Sequence, residues 1–246
     1  MSLAEREVLL ALLKLTKDGL ASKELIIKDA KVATSVAEEL FKKFTHHELI
    51  EVKGKLVKTT PEKRIKMAVY AIQKGADFER VCKFLDWKEF ENIAATIFKT
   101  NGYDIKRNFH FKNEKRWEID LIAIKKPLII CVDCKHWQHG WSKSAIIKAT
   151  ENQIERTKAL AEALPKICKE IKLENWSQAT FIPTVLSLIS GPLKFHKNTP
   201  IVPILQLQNF ISELPANITL LTHFSKNITN KNKKLTEFQQ LNQKEK

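Results

Sequence analysis

The first sixty residues show apolar positions at helical spacing and then at strand spacing. Apolar faces recur every three or four residues in three segments, at 3–16, 23–30 and 34–45. Two short strand-like runs, 49–52 and 56–59, then flank Lys53-Gly54-Lys55, which is typical of a tight turn. The pattern predicts three helices followed by an antiparallel hairpin.

Beyond residue 60 the order of predicted elements changes. Residues 61–85 predict short helices interrupted at Gly75, and we place a helical linker between two domains there. Residues 86–222 carry strand runs between helical segments, which indicates an α/β domain with a mixed sheet flanked by helices. From 223 to 246 apolar periodicity is nearly lost and Lys, Asn and Gln dominate, which predicts a basic, mostly disordered tail.

The charge balance narrows the choice of partner. The chain has 42 Lys and Arg against 28 Asp and Glu, a formal net charge of +14. This surplus favours a polyanionic partner, nucleic acid first and an anionic membrane second. No apolar run reaches the roughly 18 residues that a bilayer span requires, and the N-terminus lacks the order of a signal peptide. We therefore expect a cytoplasmic protein that binds nucleic acid.

One carboxylate is unusual on the helix that is predicted to begin at Trp87. The apolar stripe of this helix runs from Trp87 through Phe90 to Phe98 and includes Glu91, whereas Glu89 falls on the polar side. A buried carboxylate is costly unless it is paired or binds a cation. Glu91 is therefore a candidate metal ligand, although an edge position from which the carboxylate reaches solvent explains the same pattern.

Two acids and a lysine fall on neighbouring predicted strands. The strand that contains Asp120 and the strand 128–135 are joined by a short turn, so we expect Asp120 opposite Asp133. Side chains in such a pair lie about 5 Å apart. Lys135 follows Asp133 by two residues and shares its face of the strand. Because two facing carboxylates repel unless a cation lies between them, the pair predicts a divalent metal site.

This set of side chains suits phosphodiester hydrolysis. Carboxylates hold Mg²⁺, the metal activates water and neutralises phosphate charge, and the lysine positions water or stabilises developing charge. The backbone carbonyl of Cys134 is a further expected ligand, and Mn²⁺ is expected to substitute for Mg²⁺. The thiols of Cys131 and Cys134 are three residues apart on one strand and point to opposite faces, so we do not expect them to share zinc.

The motif formed by Asp120 and, thirteen residues later, Asp133-Cys134-Lys135 resembles the PD-(D/E)XK motif of restriction-endonuclease-like nucleases. The order of the surrounding helices and hairpin is similar to that of archaeal Holliday-junction resolvases and methylation-directed restriction endonucleases. The resemblance covers about residues 86–212. It implies a restriction-endonuclease-like mixed sheet flanked by helices in the second domain.

The resemblance also assigns roles to individual residues. It implies five catalytic or metal-binding side chains, Glu91, Asp120, Asp133, Lys135 and Gln153. The first three would bind the metal, the lysine would be catalytic, and the glutamine would belong to a supporting motif. The chain departs from the family pattern at Ile119, where a proline is usual. It also departs after Gln153, where a tyrosine often follows and this chain has Arg156 and Thr157 three and four residues on.

Basic and aromatic side chains in both domains are candidates for DNA contact. Near the predicted active site these are His136, Trp137, Lys143, Lys148 and Arg156. Residues 1–60 resemble the winged-helix class, an α+β domain, and offer Lys42, Lys43, Lys53, Lys55 and Lys58. An ordinary loop after Lys135 and a dimerisation or partner-binding role for residues 1–60 are the alternatives.

The sequence therefore favours a Mg²⁺-dependent DNA endonuclease that acts in DNA repair, recombination or restriction. A homodimer is consistent with cutting both strands symmetrically. The alternative is a non-catalytic DNA-binding protein with a retired nuclease domain, and an RNA nuclease is a third hypothesis. The enzyme is favoured because the chain has all four residues expected for metal binding and catalysis, Glu91, Asp120, Asp133 and Lys135.

Overall fold

A computed structural model describes residues 3–135, 142–188 and 190–228 of the 246-residue chain. Within these ranges the chain divides into two compact units, the first up to Ile93 and the second from Ala94 onward. No helix in the described ranges is both long enough and apolar enough to cross a bilayer.

The first unit combines helices with a small antiparallel sheet. Its helices are α1 (Leu3–Leu15), α2 (Lys23–Ala30), α3 (Thr34–His46), α4 (Pro61–Gln73) and α5 (Phe78–Lys83). Its strands are β1 (Leu20–Ser22), β2 (Glu51–Lys53) and β3 (Leu56–Lys58). The strand order is β1-β3-β2, with both pairings antiparallel. The predicted helices and hairpin are present, and β1 is an addition that is too short to produce a recognisable sequence pattern.

Helices α4 and α5 belong to the core of the first unit. Met67, Ala68 and Ala71 on α4 and Val81 on α5 are buried in one apolar cluster with the leucines of α1. These side chains leave water by packing on the other helices of the unit, which makes their burial part of its folding. The prediction of a helical linker at 61–85 is therefore wrong.

A buried ion pair joins α4 to the beginning of α6 (Trp87–Thr100), a helix that continues into the second unit. Arg64 is 2% exposed, and its Nε donates to Glu89 Oε1 at 2.6 Å. The same guanidinium donates to the carbonyls of Leu13 and Phe84. The prediction that Glu89 lies on the polar side of the helix is wrong, because Glu89 is 2% exposed, and an arginine from another helix compensates its buried charge.

A seven-stranded mixed sheet organises the second unit. Its strands are β4 (Asp104–Asn113), β5 (Lys115–Lys125), β6 (Leu128–Lys135), β7 (Gln178–Ser187), β8 (Phe195–His196), β9 (Thr199–Pro203) and β10 (Phe224–Asn227). The order is β4-β5-β6-β7-β9-β8, and β10 pairs with the beginning of β7. Strands β6, β7 and β9 are parallel, and the other pairings are antiparallel.

Helices cover this sheet, as the sequence predicts. The long helix α7 (Lys143–Ile167) connects the parallel strands β6 and β7, and α8 (Leu207–Asn217) follows β9. Short 3₁₀ helices occupy Ile204–Gln206 and Ile218–Leu220. Apolar residues of α7 share one core cluster with residues of β4 to β7, and β6 is buried over its first six residues, as is usual for a central strand. The predicted α/β class with a mixed sheet flanked by helices is confirmed.

The C-terminal tail begins later than predicted. Phe224–Asn227, placed in a disordered tail starting at 223, form β10 and pair antiparallel with Gln178–Phe181. Phe224 also packs against the core of the second unit. The strand pairing satisfies backbone N–H and C=O groups that would bond to water in a disordered segment. Residues 229–246 lie outside the described residues.

Candidate active site

Asp120 and Asp133 occupy adjacent positions on the neighbouring strands β5 and β6. The antiparallel register pairs Leu121 with Val132. Asp120 and Asp133 are the next residues on the two strands beyond this last pair. This arrangement agrees with the register that the position of the turn predicts.

Asp120 is half-buried and is held by a backbone group of β6. The N–H of Cys134 donates to Asp120 Oδ2 at 2.7 Å. Burial raises the pKa of Asp120, and the negative charge of Asp133 raises it further. The hydrogen bond from Cys134 and the positive charges of Lys135 and Arg156 offset part of this increase in pKa. Because the negative charges of Asp120 and Asp133 disfavour each other, a cation bound between them would stabilise both.

Asp133 is 1% exposed and has two cationic partners. Lys135 Nζ donates to Asp133 Oδ1 at 3.1 Å and lies 2.9 Å from Oδ2, while Arg156 Nη1 donates to Oδ1 at 2.6 Å. Both oxygens of this buried carboxylate therefore face a protein cation, Oδ1 the guanidinium of Arg156 and Oδ2 the ammonium of Lys135.

Gln153 supports β6 from the side of α7. Its side chain is completely buried, and Nε2 donates to the carbonyl of Cys131 at 2.7 Å. Cys131 precedes Asp133 by two residues on the same strand. Because a side chain with no exposed surface cannot touch a substrate, the predicted catalytic role of Gln153 is corrected to a positioning role.

Glu91 is buried on α6, with 7% of its surface exposed. This burial agrees with its position in the apolar stripe and excludes the solvent-reaching alternative. Among the residues that the structure describes, no three or more His, Cys, Asp or Glu side chains gather closely enough to hold a metal ion. The metal-binding role of Glu91 therefore stays a prediction, and the structural site consists of Asp120, Asp133 and their cationic neighbours.

The residues of the second unit that were predicted to contact DNA have different surroundings. Lys143 and Lys148 are exposed on α7 and remain candidates for phosphate contact. Arg156 is bound to Asp133, and its side chain is 29% exposed, so its role as a DNA contact stays a prediction. His136 and Trp137 lie outside the described residues.

The first unit presents most of its predicted DNA contacts to solvent. The exposed lysines are Lys42, Lys53, Lys55 and Lys58. Lys43 differs from them because its Nζ donates to the buried carboxylate of Glu5 at 2.7 Å. Its side chain is still 42% exposed, so its role as a DNA contact stays a prediction.

The sequence-based prediction missed Asn108, which lies in the same row of the sheet as the two aspartates. The register of β4 and β5 skips Asn108 and Asp120 between the pairs Arg107–Leu121 and Phe109–Ile119, and Asn108 has a positive φ of 46°. Asparagine adopts this left-handed conformation more readily than most residues. An asparagine within an otherwise strand-like run is therefore the sequence signal for the irregular backbone of β4 at this position.

Two sequence comparisons relate the chain to known proteins. Residues 86–189 match the family model described as a nuclease-related domain. An uncharacterized protein of Archaeoglobus fulgidus is 30% identical over 129 residues, which cover 52% of this chain and 91% of that protein.

Two solved structures are also similar to the chain. The crystal structure of AF1548, a protein of unknown function, matches with a TM-score of 0.27 and 15% identity, over 50% of this chain and 53% of that one. The restriction endonuclease FokI matches with a TM-score of 0.35 and 14% identity, over 87% of this chain and 44% of that one. The chain thus spans about half the length of each solved structure. Because the chain is 30% identical to the Archaeoglobus protein over 91% of that protein's length, it belongs to the same family, and its residues 86–189 match the nuclease-related domain.

Proposed function

We propose that the protein is a Mg²⁺-dependent DNA endonuclease of the PD-(D/E)XK type that hydrolyses phosphodiester bonds. The observation that carries the proposal is the pair Asp120 and Asp133 on adjacent strands, with the Lys135 ammonium 2.9 Å from Asp133 Oδ2. The match to a nuclease-related domain over the same strands supports it. Roles in DNA repair, recombination or restriction are part of the proposal.

The residues present fit a divalent cation. Asp120 and Asp133 would hold it, because the repulsion that raises the pKa of Asp120 would be relieved by a cation between the two carboxylates. The carbonyl of Cys134 is directed to the same side as its N–H, which donates to Asp120, since both groups of a strand residue point the same way. Glu91 is a further proposed ligand. A bound Mg²⁺ would supply a water of lowered pKa and neutralise phosphate charge, and Mn²⁺ would substitute for it.

Lys135 is the proposed catalytic cation. Its side chain is 32% exposed, so the ammonium reaches both Asp133 and a phosphate that approaches from solvent. An ammonium has three N–H donors, and Asp133 accepts from one of them. The remaining donors can hold a phosphate oxygen or an attacking water in place. Gln153 keeps the strand in position through the carbonyl of Cys131.

The first unit is proposed to bind DNA as a winged helix. Its element order of three helices and a β2–β3 hairpin supports this, as do the exposed lysines Lys53, Lys55 and Lys58 on and beside the hairpin. A homodimer would allow both strands to be cut. A dimerisation or partner-binding role for this unit is the alternative.

The experiment is a cleavage assay of the full chain on duplex, branched, flapped and methylated DNA, with RNA as a competing substrate. Asp133→Asn and Lys135→Gln are each expected to reduce Mg²⁺-dependent cleavage by about a hundredfold or more. DNA binding measured in EDTA should persist in both variants. Asp18→Asn and Lys166→Gln, which change exposed residues of the same types, serve as controls. Cleavage that survives both active-site substitutions overturns the proposal.

A non-catalytic DNA-binding protein with a retired nuclease domain is the second candidate. The observation that favours it is the lack of a cluster of three or more metal-binding side chains in the described ranges. Tight binding with no cleavage of any DNA substrate, in Mg²⁺ or Mn²⁺, would favour this function over the enzyme.

A further inference from the structure

Five lysines surround one cavity of the second unit, which we call the lysine cavity. Its volume is about 520 Å³. The lysines that line it are Lys99, Lys106, Lys125, Lys126 and Lys172. Asp104 is the acid in the lining, so five ammonium groups face one carboxylate. Cations that share a concave surface reinforce one another's positive potential and attract anions.

The lysine cavity is separate from the candidate active site. Lys125 ends β5 and Lys126 lies in the turn that follows, while Asp120 and Asp133 lie farther along the two strands. Asp120 precedes Lys125 by five positions, a distance of about 16 Å along an extended strand. The cavity is therefore a second positively charged feature of the unit.

The charges of the lysine cavity are not compensated by acids. In the part of the chain that the structure describes, none of its five lysines forms an ion pair, although lysines elsewhere do, such as Lys197 with Glu151 at 2.6 Å. Lys125 donates to the carbonyl of Asn101. A neutral carbonyl accepts a hydrogen bond and leaves the positive charge in place. The cavity thus keeps a charge that an anionic ligand would neutralise.

An aromatic side chain lies beside these cations. Trp176 is half-buried and lines the cavity together with Ile105, Ile124 and Ile171. Proteins that bind single strands combine cationic grooves, which track the phosphates, with aromatic rings, on which the bases stack. The lining of the lysine cavity contains both groups.

We propose that the lysine cavity binds a single strand of nucleic acid, with lysines contacting phosphates and Trp176 contacting a base. The inference rests on the proposed function in that nucleic acid is the substrate. It adds a second contact, at the opposite end of the β5–β6 hairpin from the active site. A strand held there would be anchored away from the position of cleavage.

The test is fluorescence anisotropy of a labelled single-stranded oligonucleotide with the full chain in EDTA, across a series of salt concentrations. The variant is Lys99→Gln/Lys106→Gln/Lys172→Gln, which changes three cavity lysines whose ammonium groups make no hydrogen bond to the described residues. We expect affinity to fall at least tenfold, and the salt dependence to decrease by about two counterions for three lost contacts. Trp176→Leu should weaken binding about tenfold without changing the salt dependence.

The matched control is Lys166→Gln/Lys169→Gln/Lys194→Gln, which removes the same charge from exposed lysines outside the cavity. Its affinity should stay within twofold of the original chain. Equal losses in the two triple variants, or no loss in the cavity variant, overturn the proposal. Competition by AMP or ATP at concentrations equal to the oligonucleotide would also overturn it, in favour of a free nucleotide. Since binding is measured without a divalent cation, the result does not depend on whether the protein cleaves DNA.

Discussion

Arg156 Nη1 donates a 2.6 Å hydrogen bond to Asp133 Oδ1, the same oxygen that accepts from Lys135 Nζ. Two cations therefore share one oxygen of a carboxylate that is 1% exposed. They compensate the buried negative charge from within the protein. A metal ion that binds Asp133 must compete with this arrangement, which gives Arg156 an influence on metal affinity.

Removing the arginine should tighten metal binding. In Arg156→Gln we expect the affinity for Mn²⁺ to rise about tenfold, because a nearby positive charge is lost and Asp133 attracts the ion more strongly. The measurement is the free Mn²⁺ signal in electron paramagnetic resonance, without DNA. Lys148→Gln, an exposed change on the same helix, is the control. Unchanged or weaker Mn²⁺ binding in Arg156→Gln would contradict the competition.

The raised pKa of Asp120 predicts how stability depends on pH. Its main cause is burial and its second cause is Asp133. A carboxyl whose pKa is raised by folding keeps its proton more tightly in the folded state, so its ionisation destabilises the protein as pH rises above the ordinary value of 3.8. Asp120→Asn should therefore raise the melting temperature at pH 7.5 by a few degrees.

The advantage of Asp120→Asn should shrink as the pH is lowered from 7.5 toward the ordinary carboxyl pKa of 3.8, because the original carboxyl takes up its proton first in the folded state. Added Mg²⁺ should raise the melting temperature of the original chain more than that of the variant. Scanning calorimetry over this pH range measures both effects. A melting-temperature difference that is constant with pH would show that the ionisation of Asp120 is not its cause.

The buried pair Arg64–Glu89 should be important for the stability of the first unit. Arg64→Met leaves the Glu89 carboxylate buried without its cation, and we expect a loss of about 3–5 kcal/mol in the free energy of unfolding. Lys63→Ala removes the more exposed pair with Glu51 and should cost much less, because water already solvates both charges. Urea unfolding compares the two variants. Similar losses for both would contradict the role of burial.

Local periodicity was sufficient to predict the strands that carry the candidate site. The apolar run 128–135 forms β6 with the predicted bounds, because a central strand must be apolar on both faces. The short turn after β5 determines which residues of the two strands face each other, so the pairing of Asp120 with Asp133 also follows from the sequence. Both features depend on residues that are close together along the chain.

The sequence by itself thus determined the α/β class, the position of Asp120, Asp133 and Lys135 on one hairpin, and the surplus of positive charge. The tertiary structure alone decided that Arg156 approaches Asp133 and that Arg64 compensates Glu89. The tertiary structure also decided that residues 61–85 pack in the core of the first unit and that β10 pairs with β7 in the second. The physical reason is that periodicity specifies which side of an element is buried. The partner on that side comes from distant parts of the chain, and its identity depends on how the elements pack.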